Sequence, residues 1–263
     1  MLNYVVKESD SLMRLIPHRD HDFVSRFVPS SYMRARSTEK EYMGKSNLIQ
    51  NKTKAYNSLI ELDINKELTR YIVLTCEDIV DYFLFIKLVD SFLKKINYRF
   101  NNTLHVKSIE FGETTPDGLS SFRLHANILL IFDKVIPESF TPLLIHDLWG
   151  MGMTSCEEVY DIYHLFKYFC KYQPTHDLLE LSPNCKLTKY PYGQKIVSWS
   201  LSIPKKQVST YKISQYEYQQ TINEFKSKHG NDTPMIENNV HKYVDKTTGE
   251  LITCLDSQIY YYR

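Results

Sequence analysis

The sequence predicts an α+β fold, a central, mostly antiparallel sheet with helices packed on one face, and three observations predict it. Short β-favouring runs and amphipathic helical stretches are interleaved between residues 69 and 203. Two of the extended runs are separated by turn chemistry that fits a hairpin rather than a crossover helix. The chain has 263 residues and 43% hydrophobic side chains, enough to bury a proper core. The expected organisation is a basic helical segment over residues 1 to 66, the principal domain over 67 to 206, and a C-terminal extension over 207 to 263.

Within the N-terminal segment, SYMRARSTEKEYMGKSNLIQNKTKAYNSLIEL has helical spacing and gathers Arg34, Arg36, Lys40 and Lys45 into a basic face. TRYIVLTCED, residues 69 to 78, changes the period, because Tyr71, Ile72, Val73 and Leu74 favour a buried strand. Ile79, Phe83, Ile86, Val89, Leu93 and Ile96 then recur three or four apart, which is one face of an amphipathic helix. LHVKSIEFGE (104 to 113) and FRLHANILLIF (122 to 132) read as strands joined through Pro116, Asp117 and Gly118.

After a loop containing Pro137 and Pro142 and the segment LWGMGMTS, EEVYDIYHLFKYFCKY reads as a helix. Val159, Ile162, Tyr163, Phe166 and Cys170 form its apolar face, and Glu157 and Glu158 complement the dipole at its start. Residues 185 to 203 predict two more strands across PYG, and the extension predicts a helix near 216 to 228 and a hairpin around KTTG.

Composition narrows the function classes. The five cysteines are widely spaced with no CxxC pair, as expected of reduced thiols in a cytoplasmic protein. Lys7, Glu8 and Asp10 interrupt any secretory signal, and no run approaches the roughly 18 apolar residues of a membrane span. The formal net charge of +1 does not advertise nucleic-acid binding, yet residues 181 to 206 hold Lys186, Lys189, Lys195, Lys205 and Lys206 with no acid among them. A solvated surface accounts for such a run equally well.

Side chains two apart on a strand share a face, so His125 and Asn127 project together, and Glu110 and Ser108 can meet them from the neighbouring strand. A carboxylate, an imidazole and an amide oxygen converging in this way could hold Mg²⁺ or Mn²⁺. Tyr168 and Lys171 share a helix face turned away from the apolar stripe. A lone strand histidine is more often structural, and solvated tyrosines are common in a chain with twenty of them. The combination carries the signal.

In their order along the chain, these segments resemble the rolling-circle replication initiators of bacterial plasmids and phages, within the HUH endonuclease class. YIVLTCED resembles the first motif of that class. IEFGETTPDGLSSFRLHANILL resembles the second, where an acidic strand precedes paired metal-binding histidines. LWGMGMTS with KYFCKY is similar to its Trp-Gly-x-Gly segment and Tyr-x-x-Lys motif. RARSTEK, LIQNK and KIVSWSLSIPKK extend the resemblance over residues 34 to 206, about two-thirds of the chain.

The resemblance implies Tyr168 as nucleophile with Lys171 its companion, and Glu110, His125 and Asn127 as ligands of Mg²⁺ or Mn²⁺. It implies nicking of single-stranded or hairpin origin DNA, giving a 5′-phosphotyrosyl protein and a 3′-OH for a host polymerase working with a helicase. Arg34, Arg36, Lys186, Lys189 and Lys195 would contact the DNA. The chain departs from the pattern where Asn127 replaces a histidine and where the first motif lacks its leading Thr. A catalytically silent nucleic-acid-binding module and a related transposase or relaxase are the alternatives.

Overall fold

The computed structural model describes residues 3–19, 27–29, 45–76, 81–112, 123–170, 194–230, 234–248 and 250–262. In chain order the elements are β1 (Asn3–Glu8), β2 (Leu12–His18), β3 (Phe27–Pro29), α1 (Lys45–Leu59), β4 (Thr69–Cys76), α2 (Tyr82–Phe100), β5 (Leu104–Gly112) and β6 (Arg123–Ile131). There follow α3 (Pro142–Trp149), β7 (Thr154–Glu158), α4 (Ile162–Cys170), β8 (Val197–Trp199), β9 (Ser209–Ser214), α5 (Tyr218–Ser227), β10 (Met235–Asp245) and β11 (Leu251–Tyr261). These elements divide into two compact units, one from the described residues of Met1–Thr38 and Lys206–Arg263, the other from those of Glu39–Tyr172 and Ser182–Lys205.

The first unit is a six-stranded sheet in the order β3-β10-β11-β2-β1-β9. The chain therefore starts with strands, not with the expected helical segment, and these strands pair with residues expected to form a C-terminal extension. The alternation of β1 and β2 delivers Val6, Met13 and Leu15 to one face, where Ile222 and Phe225 of α5 pack beside Tyr260 and Tyr262. The hairpin expected around KTTG joins β10 to β11, with Asp245 Oδ1 accepting the Thr247 N–H at 2.8 Å in an Asx-type turn.

The second unit is a five-stranded sheet in the order β7-β4-β6-β5-β8, antiparallel at every pairing. Strands β4, β5 and β6 lie where the sequence placed them, and β5 and β6 pair as a hairpin from Leu104↔Ile131 to Gly112↔Arg123. Helices cover both faces rather than the single face expected. Consecutive strand residues point to opposite sides. Lys107 forms an ion pair with Asp90 of α2, while its neighbour Ser108 donates to the Phe169 carbonyl of α4 at 3.1 Å.

Helix α2 begins at Tyr82, where Asp81 caps the Leu84 N–H at 2.7 Å. The expected stripe fails at its start, where Phe83 is exposed, Ile86 half-buried and Ile79 outside the described residues; beside Tyr82 the helix buries Phe85 and Phe92 together with the expected Val89, Leu93 and Ile96. Each of these side chains contributes about 1.5–3 kcal/mol by leaving water. Helix α3 was expected to be loop, although Thr141 capping Leu144 ahead of Pro142 in the first turn is a recognisable start signal. Val159 is buried but precedes α4, and Glu157 and Glu158 lie on β7; the cap of α4 is Asp161, which accepts the His164 N–H at 3.0 Å. Of the two strands expected over 185 to 203, β8 is described, and the PYG turn lies outside the described residues, as does the β5–β6 turn TTPDGLSS.

No helix among the described residues is long and apolar enough to cross a membrane. Cys76, Cys156, Cys170 and Cys254 are free thiols, and Cys185 lies outside the described residues.

At the far end of β5, His105 Nδ1 lies 3.2 Å from the Ser200 hydroxyl. Burial, reinforced by the Lys107 ammonium and opposed by Asp90, pulls its pKa down to about 4. The unfolded chain therefore binds the proton first as pH falls. The contribution is intact above pH ~6.5 and is lost between there and about 4. Urea unfolding at pH 7 and pH 4.5 should show a loss about 1–2 kcal/mol smaller in His105→Gln than in the parent chain. Equal losses would remove His105 from the acid response.

Candidate active site

Three central strands bring polar side chains into two rows on one face of the five-stranded sheet. Thr75, His125 and Glu110 are cross-strand partners in the first row, and Val73, Asn127 and Ser108 in the second. Directly opposed residues hold their Cβ atoms about 4.5–5.5 Å apart, so the His125 and Glu110 side chains leave the sheet side by side on one face. The alternation responsible is visible in β6, where Leu124, Ala126 and Ile128 fill the opposite face with no exposure. Glu110 is 6% exposed and Asn127 1%, whereas His125 is half-buried.

Helix α4 lies over these rows. Tyr163, Phe166, Phe169 and Cys170 are its buried side, which turns Tyr168 toward the edge of the contact with 40% exposure. The Tyr168 hydroxyl donates to Glu110 Oε1 at 3.1 Å. One residue on, the Phe169 carbonyl accepts from Ser108, and its ring lies 6.0 Å from that of Tyr71. Three of the residues singled out in the sequence, Tyr168, Glu110 and His125, thus converge at one place.

Tyr71 was not foreseen as part of this constellation. Its hydroxyl donates to Asn127 Oδ1 at 2.6 Å, so the amide oxygen expected as a third metal ligand is engaged by another strand of the sheet. The signal was available in the alternation of β4, since Tyr71 shares a face with Val73 and Thr75.

The electrostatics are those of a buried acidic site. Burial, then the Glu110 charge and its hydrogen bond, push the Tyr168 phenol up to about 12. Tyr71 is raised too, chiefly by burial and then by the nearby Tyr168 and Glu110. A carboxylate beside an imidazole fits a hard or borderline divalent cation. Glu110 and His125 satisfy that donor chemistry, while Asn127 would have to share its oxygen with Tyr71. Among the described residues, no group of three or more His, Cys, Asp or Glu side chains is gathered for a metal.

Of the remaining candidates, Lys195 is exposed just before β8. Lys171, Arg34, Arg36, Lys186 and Lys189 lie outside the described residues. Compared with family models, curated proteins and solved structures, the chain has no significant match.

The first row is braced from the β7 side by the segment LWGMGMTS. Trp149 Nε1 donates to the Thr75 carbonyl at 2.7 Å, and the ring packs edge-on against Phe85 and Phe92. Gly152 lies so close that a Cβ there would come within 2.7 Å of the same carbonyl oxygen, at a φ of +150° that side chains rarely adopt. Gly152→Ala should therefore cost about 2–3 kcal/mol in urea unfolding. Unchanged stability would mean that the approach to Thr75 relaxes without consequence.

Proposed function

We propose that the chain is a DNA strand-nicking enzyme of the rolling-circle initiator type, with Tyr168 as nucleophile and Glu110 and His125 as the ligands of Mg²⁺ or Mn²⁺. The observation that carries this reading is the 3.1 Å contact between the Tyr168 hydroxyl and Glu110, the residue paired across the strands with His125. The order of the motifs supports it. A tyrosine meeting a carboxylate–histidine pair is what that resemblance requires, and the convergence involves elements more than fifty residues apart in sequence.

Tyr168 Oη attacks the scissile phosphorus, and the bond from phosphorus to the 3′ oxygen breaks. The product is a 5′-phosphotyrosyl bond and a free 3′-OH. Glu110 Oε1 already accepts the phenol hydrogen bond and is placed to take its proton, and the departing 3′ oxygen takes a proton from solvent water. The divalent cation, when bound, supplies positive charge to the phosphate and offsets the carboxylate that otherwise opposes phenolate formation. His125 helps retain it. Tyr168 is 40% exposed, so a single strand can reach this residue from solvent. A host polymerase and helicase would use the 3′ end.

Incubation of the protein with Mn²⁺ and a labelled pool of single-stranded stem-loop oligonucleotides should give a denaturation-resistant protein–DNA adduct. Tyr168→Phe should abolish it, and Glu110→Gln and His125→Ala should each lower its yield at least about a hundredfold. An adduct that persists in Tyr168→Phe, or none with the parent protein, would refute the assignment.

A further inference from the structure

Asn127 stands where the initiator pattern has a metal-binding histidine, yet its surroundings are those of a support. It is 1% exposed, and its oxygen takes a 2.6 Å hydrogen bond from Tyr71. That bond is at the short end for hydroxyl donors, and breaking it inside the sheet–helix contact would leave a desolvated hydroxyl. Asn127 is also one row further along the sheet than His125 and Glu110, about 7 Å along the strand.

The second row holds α4 in place. Ser108 fixes the Phe169 carbonyl, and the Tyr71 ring, itself pinned by Asn127, lies against the Phe169 ring. Residue 168 therefore addresses the first row while residue 169 is anchored on the second. A shift of the Tyr71 ring would move Phe169, and with it the hydroxyl that meets Glu110.

We propose that Tyr71 and Asn127 are a positioning pair for the nucleophile, setting the seat of the last turn of α4, and that Asn127 lies outside the cation's ligand set. This deepens the nicking reading and rests on it. In Tyr71→Phe the ring stays and the hydroxyl goes, so the fold should be retained even where Asn127→Ala proves unstable.

Three measurements test the pair. In single-turnover adduct formation with the stem-loop pool, Tyr71→Phe should lower the rate at saturating oligonucleotide at least tenfold, with half-saturating oligonucleotide and Mn²⁺ concentrations within twofold of the parent. Binding of Mn²⁺ alone, followed by electron paramagnetic resonance, should weaken at least tenfold in His125→Ala and less than twofold in Asn127→Ala. Amide exchange of the protein alone should accelerate in the last turn of α4 in Tyr71→Phe, with β4 and β6 unchanged. An Asn127→Ala loss of Mn²⁺ binding equal to that of His125→Ala overturns the inference, as does an unaltered rate in Tyr71→Phe. If the parent protein neither forms an adduct nor binds Mn²⁺, the nicking reading fails by itself. The exchange data then decide the seat of α4, faster exchange upholding it and unchanged exchange overturning it.

Discussion

A carboxylate with 6% exposure in the middle of a sheet is the constraint around which this unit is arranged. Burying a charged group without partners costs several kcal/mol or forces it to take up a proton. Glu110 is placed opposite His125 and receives the Tyr168 hydroxyl, so partners come from a neighbouring strand and from a helix distant in sequence. The same arrangement holds the phenol in its protonated form and concentrates negative potential at one spot. On the proposed reading, a bound cation would offset this carboxylate as a phosphate approaches.

The supporting structure follows from strand register. Side chains alternate with a period of two, so a one-residue slip of β5 against β6 would carry Glu110 to the opposite face, which belongs to α2. The register is secured on that face by Leu124, Ala126 and Ile128, which have no exposure, and by the Lys107–Asp90 ion pair. On the other side of β4, Trp149 and Gly152 hold the Thr75 carbonyl between a hydrogen bond and a close backbone approach. The apolar face thus fixes which residues are available to the polar one.

These causes explain what the sequence could reveal. Alternation in LHANILL and IEFG is local, so the strands, their hairpin and the shared face of His125 and Glu110 were legible before any coordinates. The pairing of β1 and β2 with β9 and β11 was not, because it joins residues more than two hundred apart and no local period records it. Helix α3 is hidden in the sequence because Pro142 fits a loop with Pro137 as well as it fits the first turn of a helix. The stripe of α2 was misjudged at its start because Phe83 and Phe85 are both apolar, and only packing against Trp149 selects Phe85. Tyr71 escaped notice because strand propensity explained it fully, leaving its hydroxyl unconsidered.

The Tyr71 hydroxyl bears on how a helix can hold one side chain accurately over a sheet. A single hydrogen bond from Tyr168 to Glu110 would leave α4 free to pivot, since its apolar contacts are non-directional. Two further contacts made one residue along, Ser108 to the Phe169 carbonyl and the Tyr71 ring to the Phe169 ring, turn one point of attachment into three. Asn127 completes the set by fixing Tyr71 from the central strand. Tyr71 and Asn127 occupy cores of partner strands that the hydrophobic face already holds in register, so the site inherits its rigidity from the sheet. If Tyr168 is the nucleophile proposed above, its hydroxyl must be held to within about 0.5 Å, a placement that a lone surface tyrosine on an untethered helix would lack.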